Sequence, residues 1–165
     1  MNQKSIEDHN AEKQKELHTR VSKELETHNG KNFLERYALY MLRIQMYELS
    51  LKQDLQELFN VTEEQVDRMS LSSIFRYYVD NDIRTHPILY VNIQDIARQR
   101  NNMAHEFLAL AGSLSQLAGN DAIRLFQKDL DRWVYELELA YQQYSILKET
   151  NELYKDWGVK PAYNP

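Results

Sequence analysis

Four glycines and three prolines are all that punctuate a chain of 165 residues, and the β-branched residues form no alternating run. Strands and tight turns draw heavily on such residues, so this chain reads as long helices joined by few breaks. The expected class is all-α: an up-and-down bundle of four to five helices with an N-terminal helical arm. A chain of this length buries roughly two-thirds of the surface that its unfolded form exposes, enough for a core without disulfides or metals. Residues 1–31 read as the arm, 32–157 as one bundle domain and 158–165 as an irregular tail.

Twenty Lys and Arg stand against 25 Asp and Glu, a formal charge of −5. That balance argues against a surface that coats nucleic acid broadly, since phosphate affinity comes mainly from clustered cations. A small local cationic site is still allowed. The absence of cysteine removes disulfide scaffolds, Cys-ligated zinc, iron–sulfur clusters and thiol nucleophiles together. No apolar run, Ile88-Leu89-Tyr90-Val91 included, approaches the roughly 18 residues of a membrane span, and Met1-Asn2-Gln3-Lys4 leads into alternating charges instead of a secretory core. A cytoplasmic protein without membrane contact is the expectation.

Between Ser5 and His28 only Leu17, Val21 and Leu25 form a narrow apolar stripe before Asn29-Gly30 ends the helix. Such a helix is read as a solvated arm, or as one that embraces a partner. From Asn32 to Asn60, Phe33, Tyr37, Tyr40, Ile44, Tyr47, Leu51, Leu55 and Leu58 recur at steps of three and four and share one face. Leu34, Ala38, Met41, Leu42 and Leu49 add a second strip, so the first half of this central helix is expected to be covered on two sides. Thr62 and Gln65 form a capping-box pattern that opens a short helix through Met69, and Leu71, Ile74, Phe75 and Tyr78 mark another. Asp80-Asn81-Asp82 breaks it. Pro87 suits the first turn of the next helix, which runs to about Ala111-Gly112. After a connection over 112–119, Asn120 or Asp121 caps a last helix with a seam of Ile123, Phe126, Leu130, Trp133, Leu137, Ala140, Tyr144 and Leu147.

The helix opened by Pro87 carries the anomaly. At 100° per residue, Ile93, Ile96, Ala97, Ala104, Phe107, Leu108 and Ala111 fall within about 60° of one line, and Arg100 lies among them at about −20°. A guanidinium stays charged and is rarely buried alone, so an anion must meet it. A carboxylate on a neighbouring helix, with Glu48 as the candidate, would make Arg100 structural; a phosphate at a cleft or subunit interface would make it functional. Beside the stripe, Gln94, Arg98, Asn101 and His105 stack at steps of four, three and four into a polar ridge.

The string Arg100-Asn101-Asn102-Met103-Ala104-His105, followed by Glu106-Phe107, resembles the Arg-Asn-x-x-x-His signature of HEPN domains. These are small all-helical domains, many of them metal-independent RNases, in which the signature sits on a late helix of a compact bundle. The resemblance covers a bundle from about Asn32 to Tyr154, and its specific content is this hexapeptide. It implies that Arg100, Asn101 and His105 are the catalytic residues, with Gln94, Arg98 and Asn102 as substrate contacts. Spacing in the family varies, and Arg98, with six intervening residues, also fits the arginine position. The polar N-terminal segment has no counterpart in the family.

RNA carries its own nucleophile, the ribose 2′-hydroxyl, so cleavage needs a base, an acid and charge stabilisation at phosphorus but no metal. Imidazole ordinarily titrates near 6.5 and can pass that proton in either direction, a role worth roughly 10² to 10⁴ in rate. Arg100 would stabilise the pentacoordinate phosphorus, and Asn101 would orient the phosphate or the His105 ring. One histidine cannot be base and acid on opposite faces at once. The resemblance implies a homodimer with facing motif helices, so that two histidines and two arginines line one cleft and leave a 2′,3′-cyclic phosphate end. It also implies toxin–antitoxin or phage-defence modules as a setting, with a nucleotidyltransferase-like antitoxin as partner.

Other constellations point elsewhere. His9, His18 and His28 do not stack on one helical face, so no metal or other cofactor is expected. Tyr37, Tyr40 and Tyr47 read as core and interface residues, not stacking platforms for bases. The competing functions are a non-catalytic helical dimer that serves as a protein-interaction or nucleotide-binding module, and a plain dimeric scaffold with Arg100 in an internal ion pair.

Overall fold

The computed structural model describes residues 3–113 and 120–155, and side chains from 11 to 105 and from 126 to 155. Among these the chain is all-helical: α1 (Gln3–Glu26), α2 (Phe33–Phe59), α3 (Glu63–Asp67), α4 (Leu71–Asp80), α5 (Pro87–Ser113) and α6 (Asn120–Glu149). No described helix is long and apolar enough to cross a membrane. The 112–119 connection beyond Ser113, the tail after Trp157, and the side chains of Phe107, Leu108, Ala111 and Ile123 lie outside the described residues.

Local chemistry sets the boundaries. Asn32 caps α2: its side chain accepts from the Glu35 N–H at 3.1 Å, while Glu35 accepts from the Asn32 N–H at 2.8 Å. Thr62 and Gln65 repeat that reciprocal arrangement at α3. Asn60 ends α2 in the left-handed region at φ 53°, a conformation that asparagine tolerates better than most residues.

The core collects Tyr40, Ile44, Tyr47, Leu51 and Leu55 from α2, Leu71, Ile74, Phe75 and Tyr78 from α4, Leu89, Ile93 and Ile96 from α5, and Phe126, Leu130, Trp133, Leu137, Ala140 and Tyr144 from α6. The three-four spacing of α2 and α6 is therefore the spacing of the packed seam. Burying side chains of this kind contributes roughly 1.5–3 kcal/mol each before the entropy of ordering them.

Two features differ from expectation. Of the second strip of α2, Met41 is partly buried against the core, but Leu34, Ala38, Leu42 and Leu49 are exposed, as is Met46, so most of the strip faces outward in the single chain. Its exposed positions fall roughly 100–180° around the helix from the buried face, away from the packed seam. Leu58, at the end of the primary stripe, is exposed as well. In turn, α1 is no free arm: it lies along α6, its most extensive neighbour, with Val21 buried and Leu25 partly buried.

Charges hold α1 in place. Lys13 reaches Glu152 at 3.1 Å, Arg20 reaches Glu149 at 2.7 Å, and Arg43 of α2 joins Glu24 of α1 at 2.7 Å and Glu138 of α6 at 2.5 Å. Arg43 also lies 4.6 Å from the Tyr141 ring centroid. Below them, fully buried Asp54 accepts from the Tyr144 and Tyr154 hydroxyls, each at 2.8 Å, and from Lys148 at 2.5 Å; Tyr78 and Tyr154 share a further hydrogen bond at 2.9 Å. This network ties the segment after α6 to the C-terminal part of α2.

Candidate functional site

Met103 is completely buried, as are Ile93 and Ile96, so the middle of α5 is clamped on its inner side. Gln99 adds a hydrogen bond to Glu136 of α6 at 2.5 Å. With Met103 fixed, the helical step carries Asn101, Asn102 and His105 to the outer side, where all three are exposed. Arg98 is exposed too and pairs with Asp95 one turn back at 2.6 Å, while Gln94 is half-buried. The ridge expected from the spacing thus runs along the open side of α5.

Arg100 occupies the edge between that ridge and the core. Its side chain keeps 36% of its surface exposed, and its Nη1 lies 3.4 Å from Oε2 of Glu48, a carboxylate only 17% exposed. The expected carboxylate partner is therefore present, at a distance that marks a weak contact. Glu48 has stronger obligations: the same Oε2 accepts from the Leu71 N–H at 3.2 Å, at the start of α4, and Oε1 meets Lys52 at 3.1 Å. Arg100 is held loosely at one end of its fork, with about a third of its side-chain surface open to solvent.

The chemistry this permits follows from charge and access. A partly exposed cation at the α2–α5 edge and an exposed imidazole on the same helix are each open to a phosphodiester arriving from solvent, about 140° apart around α5. Asn101 and Asn102 add amide donors and acceptors beside them. Among the described residues no group of three His, Asp or Glu side chains could hold a metal.

A second polar cluster surrounds the α1–α2 turn. His28, Lys31 and Arg36 share a cavity with Leu25, Asn29, Gly30, Asp131, Val134 and Tyr135. Gly30 makes the turn at φ +72°. His28 resists protonation, chiefly because it is partly buried and also because Arg36, Arg43 and Lys31 surround it. In the sequence these residues look like the solvated end of a polar helix; only the fold brings Asp131 and Tyr135 of α6 against them.

No family model, curated protein or solved structure matches this chain.

Proposed function

We propose that the chain is a metal-independent endoribonuclease of HEPN type, acting as a homodimer in which two α5 helices share one cleft. The observation that carries this reading is the placement of Arg100 and His105: both open to solvent, on one helix whose inner side is locked by Met103. His105 would remove the 2′-hydroxyl proton in one protomer while its twin protonates the leaving 5′-oxygen. Arg100 would take the charge that builds on the phosphoryl oxygens, with Asn101 orienting the linkage and Gln94, Arg98 and Asn102 holding flanking phosphates or bases.

The open apolar strip of α2 supports the dimer. Leu34, Leu42 and Leu49 are each more than half exposed, and a surface of that kind is what a second copy would cover. Cytoplasmic location, and use as the toxin of a toxin–antitoxin or phage-defence module with a nucleotidyltransferase-like partner, belong to the same proposal by analogy. The test is incubation of the protein with mixed RNA in EDTA: cleavage by the intact chain and its loss in both His105→Ala and Arg100→Gln support the reading, and equal cleavage by intact protein and variants overturns it.

The contact with Glu48 favours a second reading, in which Arg100 only braces α5 against α2 and the dimer is a non-catalytic interaction module. Under that reading Arg100→Gln lowers stability and no RNA is cut.

A further inference from the structure

The cavity at the α1–α2 turn measures about 350 Å³, at the lower end of the roughly 300–1,000 Å³ of small-ligand sites. Its wall is uneven in charge. Lys31 and Arg36 are cations, and Asp131, which pairs with the Nη2 of Arg36, is the acid among the lining residues. Arg43 and Glu24 lie close by but are joined to each other and to Glu138. Two lining side chains, His28 and Arg36, also keep one nitrogen each, Nδ1 and Nε, closed to solvent, so the recess meets the other atoms of these side chains.

The remaining lining residues differ in kind. Leu25 and Val134 are apolar, and Tyr135 lies at the surface with its ring exposed. Cations and an aromatic ring lining one recess suit a molecule that carries an anionic group and a flat one.

We propose that this recess binds a small phosphomonoester, its phosphate held by Lys31, Arg36 and His28 and its flat ester group laid against Tyr135. This site is separate from the α5 ridge and does not depend on the nuclease reading: Arg36 and Glu48 are twelve positions apart on α2, about 18 Å along the helix. The bound phosphate would offset the fields of Lys31, Arg36 and Arg43 at His28, against Glu24 and Asp131 which already oppose them, so the imidazole would take up a proton on binding. Asp131 competes with the ligand for Arg36. That competition gives the proposal a sign that a merely structural ion pair would not share.

The experiment titrates the full chain with inorganic phosphate and with phenyl phosphate by calorimetry, and follows the His28 ring by proton NMR. Phenyl phosphate should bind saturably and more tightly than inorganic phosphate, with the His28 titration moving upward in its presence. Lys31→Gln and Arg36→Gln should each weaken binding about tenfold, and Asp131→Asn should tighten it. Lys31 is exposed and Asp131 largely so, and these two variants decide the matter even if Arg36→Gln folds poorly. Failure of either anion to saturate, equal affinity for the two anions, unchanged binding in Lys31→Gln, or weaker binding in Asp131→Asn would overturn it.

Discussion

Arg100 of α5 and Glu48 of α2 meet at 3.4 Å, while the same carboxylate also accepts from the Leu71 N–H and pairs with Lys52. One acid thus fastens the start of α4 and leaves a cation half-engaged at the edge of the bundle.

Separating those two duties gives the first prediction. Glu48→Gln keeps an acceptor for Leu71 but withdraws the charge that faces Arg100, so stability should fall by about 1–2 kcal/mol. Cleavage of RNA should persist or rise, because the guanidinium is released toward phosphate. Urea denaturation and cleavage rates on the same samples check both halves. Equal losses of activity in Glu48→Gln and Arg100→Gln would assign the pair to structure alone.

Asp54 carries a larger structural load. It is fully buried and takes hydrogen bonds from Tyr144, Tyr154 and Lys148, so Asp54→Ala leaves three donors without their acceptor. The expected cost is roughly 3–5 kcal/mol, against about 1 kcal/mol for Tyr154→Phe, which removes one hydroxyl. Denaturant midpoints measure both, and near-equal costs would contradict the network.

Acid should loosen the fold through two histidines. Burial lowers His28 and His86 below the ordinary imidazole value, and Nδ1 of His86 accepts from the Ile88 N–H at 3.3 Å, which requires it unprotonated. The folded state then binds fewer protons than the unfolded state as pH falls past about 6.5, so the stability these groups contribute is present above that pH and is lost below it. Stability measured from pH 7.5 to 5 should decline in the intact chain and decline less in His28→Asn and His86→Asn. Parallel profiles would remove the histidines as the cause.

The helices were legible because their signals are local. Asn29-Gly30, Thr62 with Gln65, and Pro87 act within a turn of themselves, and the three-four spacing of Tyr40 to Leu55 or Phe126 to Tyr144 states which face is buried. Arg100 in an apolar stripe announced an anion, and Glu48 stood beside the right face to supply it. What depends on distant pairing was hidden. Asp54 precedes Leu55 with nothing to mark it as buried, and the charges of α1 look solvated until Glu149 and Glu152, more than a hundred residues later, come alongside. The apolar strip of α2 is an instance of the opposite error: hydrophobicity showed that it wants covering, not that its own chain covers it.

That strip yields a prediction about assembly. Intact protein should sediment as a dimer, and a Leu42→Glu, Leu49→Glu double variant should be monomeric with its helical content unchanged, since both side chains are exposed. Cleavage should fall with the dimer. A double variant that remains dimeric would place the contact elsewhere.

The most direct measurement is the chemistry of the RNA ends. Oligoribonucleotide incubated with the protein in EDTA and analysed by mass spectrometry should give 2′,3′-cyclic phosphate and 5′-hydroxyl termini, and none when His105 is alanine. Intact RNA under those conditions, or the same fragments from His105→Ala, would contradict the account.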